Sequence, residues 1–176
     1  GIDSLSPPLH QAVKKLCEGP DGLYYALLFQ GGITCFDKDI EKFLPVRFDK
    51  PLELKDILDF CWNDGSLYLV TSQGLFESRI VRKTEGKHNF VLCLLNPEPL
   101  VRGKVAHLCS DGKTNLYFSV NQRKVVHYDL VAKKTSLIKE YSVVNRLFLK
   151  HGYLWICRLW DDICLLYTSD AADDMQ

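Results

Sequence analysis

Residues 57–80 read ILDFCWNDGSLYLVTSQGLFESRI, and the interpretation of the whole chain starts from them. The pattern predicts a strand, a tight turn, a second strand, another turn and a third strand. Asn63-Asp64-Gly65 supplies residues that tolerate a left-handed backbone, so the chain can reverse there. The continuous apolar run at 67–70 favours a strand that is covered on both faces. Because three short antiparallel strands cannot bury their faces alone, this stretch requires neighbours of the same kind.

Similar segments occur before and after this stretch, each with a turn signal followed by an apolar run. They align on a pair made of leucine and an aromatic residue, with spacings of 44, 49 and 38 residues: Leu23-Tyr24, Leu67-Tyr68, Leu116-Tyr117 and Leu154-Trp155. A second marker, Cys17, Cys61 and Cys109, recurs with spacings of 44 and 48 residues. A period in this range, with several short strands in each unit, is typical of propeller blades.

On these residues the chain resembles the WD40-like β-propeller repeat proteins, in a divergent form. Phe36-Asp37 and Tyr128-Asp129 fall where that family places the Trp-Asp pair at the end of a blade's third strand. The resemblance covers most of residues 13–157, although no repeat carries the family's Gly-His pair. The Asp-Gly-x-Leu-Tyr pattern is shared with NHL-type and sugar-lactonase-type propellers, so the propeller class is better supported than any subfamily.

We therefore expect an all-β fold, a partial β-propeller of about three and a half four-stranded antiparallel blades. The expected blades are 13–50, 51–99, 100–141 and 142–163, after a lead-in segment at 1–12. Ser6-Pro7-Pro8 could begin a short helix, but the register of Cys17 favours a strand from Val13. Because an arc of blades exposes sheet edges, and because the first residue is Gly, we expect a piece of a longer protein.

The end of the chain raises a separate question. Residues 164–174 resemble the translated read-through of a sequencing adapter, and we interpret 164–176 as a non-native tail. The alternative is a genuine C-terminal strand at 163–168 followed by an acidic tail.

Composition narrows the function classes. The chain has 22 basic and 22 acidic residues, so its net charge does not steer it toward nucleic acid or an acidic surface. No window approaches the roughly 18 uninterrupted apolar residues of a membrane span. The seven cysteines contain no Cys-x-x-Cys pair, which gives no support to a zinc site. We interpret them as small buried side chains in a reducing compartment, with a secreted, disulfide-bonded propeller as the alternative.

No catalytic motif is recognisable, and no metal or cofactor is expected. His107 and His127 are interpreted as hydrogen-bonded strand residues. If the likeness to lactonase-type propellers extended to a divalent metal at the channel mouth, Asp59, Asn63 and Asp111 would be the nearest candidate ligands. The competing interpretation is that these residues cap their own turns.

The sequence thus predicts a non-catalytic scaffold that binds other proteins in a multi-subunit assembly, in the cytoplasm or the nucleus. Membrane, nucleic-acid and small-molecule partners are not indicated. A propeller hydrolase or lactonase with a bound divalent metal is the alternative. Loops on a rigid scaffold often carry recognition. The candidate partner-binding residues lie in two predicted basic loops: Arg79, Arg82, Lys83, Lys87, Arg102 and Lys104.

Overall fold

The computed structural model describes residues 12–48, 56–83, 89–159 and 164–168. These residues form sixteen β-strands and no α-helix, so the all-β prediction is confirmed for them. Among them there is no helix of the length and hydrophobicity that a membrane span requires. The chain divides into two units, Gly1–Val101 and Arg102–Gln176.

The first unit contains two four-stranded antiparallel meanders. The first consists of β1 (Val13–Glu18), β2 (Tyr24–Leu28), β3 (Ile33–Asp37) and β4 (Lys42–Phe48). The second consists of β5 (Asp59–Asn63), β6 (Ser66–Thr71), β7 (Gly74–Lys83) and β8 (Asn89–Leu94). The strand β1 confirms the strand interpretation for the segment that precedes Cys17.

The outer strands of the two meanders pair with one another. Strands β4 and β8 run parallel and place Val46 opposite Phe90, which gives the order β1-β2-β3-β4-β8-β7-β6-β5. The short strand β9 (Val101–Arg102) pairs with β7 outside this order.

Lysine side chains join the two ends of this sheet. The ammonium group of Lys14 donates to the carbonyl oxygen of Leu58 over 2.9 Å. Lys15 Nζ donates to the carbonyl oxygen of Phe60 over 2.6 Å and lies 3.0 Å from Asp59 Oδ1. Because β1 meets β5 in this way, the sheet of the first unit is barrel-like and nearly closed.

Residues 57–80 fold as their sequence predicts. Asp64 and Gly65 have φ angles of 46° and 81°, the left-handed conformation that a two-residue hairpin turn requires. Strand β6 is buried on both faces, with Leu67, Leu69 and Val70 fully shielded from solvent. A buried strand of this kind needs cover from both sides, which explains the continuous apolar run.

The core of the first unit lies between the two meanders. One meander contributes the face that carries Cys17 and the residue opposite it, Tyr25. We call this the cysteine face. The second meander contributes the face that carries Phe60, Leu67 and Leu69, which is opposite to its own cysteine face. Cys61 lies across from Tyr68 on the side of the second meander that points away from this core.

The second unit contains two separate sheets. Strands β10 (Val105–Ser110), β11 (Asn115–Val120), β12 (Lys124–Asp129) and β13 (Lys134–Glu140) form an antiparallel meander. Strands β14 (Val144–Lys150), β15 (Tyr153–Arg158) and β16 (Cys164–Thr168) form a three-stranded sheet.

The core of the second unit also joins a cysteine face to an apolar face. Tyr117 and Cys109, which lie opposite each other, pack with Leu147, Leu154 and Ile156 of the three-stranded sheet. The backbone of β16 adopts the strand that the alternative interpretation of the chain end predicted. That residues 164–176 are a non-native tail stays a prediction.

Two details of the sequence interpretation were wrong. Residues 79–83 do not belong to a basic loop, because β7 continues to Lys83, pairs with β8 and packs Ile80 against the core. The aromatic marker of the first repeat is Tyr25 rather than Tyr24. Leu23 remains in the turn, where its N–H donates to Asp21 and its carbonyl accepts from Gly19.

Candidate functional site

An open cavity of about 370 Å³ lies in the first unit. The β1–β2 turn, the β3–β4 turn and strands β7 and β8 form its walls. Charged side chains line its rim, namely Asp21, Lys38, Asp39 and Arg82. Apolar and aromatic side chains line the remainder, namely Leu23, Tyr25, Ile80 and Phe90.

Tyr25 fixes one side of the cavity. Its ring is 1% exposed and lies 5.0 Å from the ring of Trp62, and its hydroxyl donates to Asp21 Oδ2 over 2.7 Å. Burial, followed by the hydrogen bond to Asp21, raises the pKa of Tyr25 far above its ordinary value, so the hydroxyl stays protonated and remains a donor. The second oxygen of Asp21 accepts from the N–H of Leu23 over 3.1 Å. Asp21 is therefore oriented by two neutral donors.

Arg82 fixes the opposite side. Its guanidinium lies 3.5 Å from Asp37 Oδ2 and 5.4 Å from the centre of the Phe90 ring. The side chain of Asp37 is 3% exposed, whereas that of Arg82 is 50% exposed. The other oxygen of Asp37 accepts from the N–H of Asp39 over 3.0 Å, which anchors the carboxylate at the end of β3. A buried carboxylate and an aromatic face thus hold a half-exposed cation in one place.

Asp37 belongs to the aromatic-Asp pairs that carried the family resemblance. These pairs do end the third strands β3 and β12, as predicted. Asp129 performs the same local task as Asp37, because its Oδ1 accepts from the N–H groups of Val131 and Ala132. The shared role is to cap the turn that follows the strand.

Among the predicted partner-binding residues in the part of the chain that the structure describes, Arg82 is the one that lines the cavity. Arg79 lies on the opposite face of β7, since it is three positions before Arg82 and successive residues of a strand face opposite sides. Lys83 is exposed at the end of the same strand. Arg102 lies in β9 rather than in a loop, and Lys104 precedes β10. Lys87 falls outside the described residues.

Sequence reasoning missed Asp21, Asp39 and Tyr25 as cavity residues. Each is a turn residue or part of an apolar run, and the parallel pairing of β4 with β8 sets the strands that carry Arg82 and Phe90 beside them. The single available signal was Pro20-Asp21-Gly22, which marks a turn but does not say what the turn faces.

Two of the three candidate metal ligands make other contacts. Asp59 pairs with Lys15, and Asp111 accepts from the N–H groups of Lys113 and Asn115 over 2.7 and 3.0 Å. The interpretation that Asp111 caps its own turn is confirmed. Within the described ranges, no group of three or more His, Cys, Asp or Glu side chains is arranged to hold a metal ion.

His107 and His127 are hydrogen-bonded strand residues, as predicted. His107 Nδ1 lies 2.8 Å from Ser119 Oγ, and His127 Nε2 lies 2.6 Å from Asn115 Oδ1. None of the six cysteines between residues 17 and 157 forms a disulfide. Burial raises the pKa of Cys35 to about 12, so this thiol is a packing group rather than a nucleophile.

Comparison with known proteins supports the fold class and does not assign a function. No protein-family model matches the chain, and no curated protein matches it. It is similar to an auxiliary nutrient binding protein from Bacteroides thetaiotaomicron VPI-5482, with a TM-score of 0.61 and 17% identity over 84% of this chain and 36% of that one. It is also similar to the extracellular domain of a protein from B. thetaiotaomicron described as a hybrid two component system, with a TM-score of 0.65 and 12% identity over 97% and 26% of the two chains.

The N-terminal domain of Nup159 gives a TM-score of 0.50 and 13% identity over 93% of this chain and 47% of that one. The chain thus spans about a quarter to about a half of the length of these three structures. At such identities the likeness concerns the fold alone, and it supports a propeller-type all-β fold.

Proposed function

We propose that this chain is part of a non-catalytic, propeller-type module that binds other proteins within a larger assembly. In this proposal β1–β4, β5–β8 and β10–β13 are blades, and β14–β16 are part of a further one, so the chain holds about three and a half WD40-like blades. The repeated contact of a cysteine face with the apolar face of the next sheet supports this assignment, because blades of a propeller cover one another in the same sense. Further blades would belong to the longer protein.

The observation that carries the functional proposal is the arrangement of Arg82. Arginine is enriched among the residues that dominate protein interfaces. A side chain that is already held in one place loses less entropy on binding. Arg82 meets both conditions, since Asp37 and Phe90 orient it while half of it stays exposed beside the cavity. The hydrolase or lactonase alternative has no comparable supporting observation among the described residues.

The proposed place of action is the cytoplasm or the nucleus. Seven cysteines without metal-ligand spacing suit a reducing compartment. Secretion is the alternative.

The proposal is tested by purifying the tagged full-length protein from its own cells and analysing it by size-exclusion chromatography and mass spectrometry. A partner should co-elute in stoichiometric amount. Arg82→Ala should reduce its recovery about tenfold, the effect of losing one moderately important interface side chain. Arg79→Ala is the matched control, because it removes the same side chain from the other face of the same strand. Elution of the protein alone, or equal recovery with both variants, would contradict the proposal.

A further inference from the structure

The charges around the cavity indicate what kind of side chain it accepts. We propose that the cavity binds a lysine or arginine side chain of the partner protein, an inference that rests on the proposed function.

The first argument is the balance of charge. Arg82 is one of the two cations that line the cavity, and its charge is offset by Asp37 at 3.5 Å. Of the charged residues that line the rim, this leaves Asp21 and Asp39 against Lys38. The described residues that line the cavity, counted together with Asp37, therefore carry one negative charge in excess. An incoming cation is favoured over an incoming anion for this reason.

The second argument is the geometry of Asp21. Tyr25 and the N–H of Leu23 donate to its two oxygens, but both donors are neutral, so they orient the carboxylate without cancelling its charge. An ionised carboxylate offers about four acceptor positions, and these two bonds use half of them. The remaining positions suit the several N–H donors of an ammonium or guanidinium group.

The third argument is the apolar wall. A lysine or arginine side chain carries a hydrocarbon stem that is stable against apolar surface while its charged end stays near water. Leu23 and Ile80 provide such a surface beside the carboxylates. The Phe90 ring already contacts one guanidinium, that of Arg82, at 5.4 Å. An aromatic ring of the cavity is therefore placed where it can contact a cation. A volume of about 370 Å³ accommodates one side chain of this size.

The test uses three blocked pentapeptides of the form acetyl-Gly-Gly-X-Gly-Gly-amide, with X as Lys, Arg or Glu. Each is titrated into the ¹⁵N-labelled full chain while the amide signals of residues 21 and 39 and the Nε signal of Arg82 are followed by NMR. The Lys and Arg peptides should bind with a Kd on the order of millimolar, as expected for a single side chain. Asp39→Asn and Asp21→Asn should each weaken this binding by about two- to fivefold, the range for partly exposed charge pairs.

The matched control is Asp64→Asn, which removes one exposed charge from the same unit, at the β5–β6 turn, and should leave binding unchanged. Tighter binding of the Glu peptide than of the Lys and Arg peptides would overturn the inference. An unchanged affinity for the Lys and Arg peptides in Asp39→Asn would overturn it too, as would no binding of these peptides at tens of millimolar. Asp39 is exposed and makes its hydrogen bond to Asp37 through the backbone, so this variant keeps the fold if Asp21→Asn does not. These outcomes concern the chemistry of the ligand alone. The proposed function is judged separately by whether a partner co-elutes and depends on Arg82.

Discussion

Cys17 lies directly opposite Tyr25 on the β1–β2 ladder, and both side chains face the core of the first unit. The same relationship recurs at Cys61 with Tyr68 and at Cys109 with Tyr117. The cysteine marker in the sequence is therefore one half of a cross-strand pair. Because the pair recurs at each meander, it defines one face of each, and in both units a cysteine face covers the apolar face of a neighbouring sheet.

This packing predicts a large cost for truncating Phe60, which is 0% exposed on the covered face of the second meander. Phe60→Ala should lower the free energy of unfolding by about 3–5 kcal/mol, the usual cost of deleting a buried aromatic ring. Urea denaturation measures the effect. Leu58→Ala is the control, because Leu58 is 44% exposed and should cost less than about 1 kcal/mol. Similar losses in the two variants would show that the two meanders do not share a core.

The sequence predicted the strands and the repeat well because both depend on local chemistry. Turn residues such as Asp64 and Gly65, and uninterrupted apolar runs between turns, act over a few residues. The alignment of the first repeat failed by one residue because Asp21 holds Leu23 inside the turn through a hydrogen bond that the spacing does not reveal.

The cavity could not be predicted in the same way. Its walls come from turns and strands that are distant in sequence, and the parallel pairing of β4 with β8 has no local signal. The basic run at 79–83 suggested a solvated loop, because its charges outweighed Ile80 and Val81 in the interpretation. In the structure the neighbouring strand decides the conformation of this segment, and Asp37 decides the environment of Arg82.

Gly19 is predicted to be essential for the position of Tyr25. A Cβ atom at residue 19 would lie 2.6 Å from Tyr25 Cε2 and 2.9 Å from Asp21 Oδ1. The ring cannot easily move away, because it is buried beside Trp62. Gly19→Ala should therefore cost about 1–3 kcal/mol of unfolding free energy, as overpacking does.

The control for this variant is Gly22→Ala. A Cβ atom there would meet nothing within 4 Å, but the φ angle of +77° should still cost about 1 kcal/mol. NMR signals of the Tyr25 ring should shift in Gly19→Ala and stay in place in Gly22→Ala. Unchanged Tyr25 signals in Gly19→Ala would mean that the turn, not the ring, absorbs the added methyl group.

The ion pair between Lys15 and Asp59 predicts a stability effect at alkaline pH. Burial alone would lower the pKa of Lys15, but the charge and hydrogen bond of Asp59 outweigh it and hold the pKa above the ordinary value of 10.5. A raised pKa means that the contribution of Lys15 is complete below pH 10.5 and is lost as the pH rises through the pKa of the folded protein. Lys15→Met should cost about 1 kcal/mol at neutral pH, with the difference from wild type shrinking above that point.

Urea unfolding from about pH 8 to about pH 11 measures this window. A double-mutant cycle with Asp59→Asn isolates the pair from the packing of the lysine stem. A wild-type advantage that stays constant across the whole range would show that the stem, rather than the charge, closes the gap between β1 and β5.

Asp111 predicts the opposite behaviour in acid. Partial burial would raise its pKa, but hydrogen bonds from the Asn115 side chain and from the N–H groups of Asn115 and Lys113 hold the pKa below the ordinary value of 3.8. A lowered pKa stabilises the folded protein above pH 3.8, and this contribution is lost as the pH falls through the pKa of the folded state. Asp111→Asn removes the charge, and because solvent screens this partly exposed site it should cost only about 0.5 kcal/mol at neutral pH, and nothing once wild-type Asp111 is itself protonated. Thermal unfolding followed from neutral pH into acid measures the convergence of the two proteins. If they lose stability in parallel over this range, the turn is held by its backbone geometry and the charge of Asp111 has no part in it.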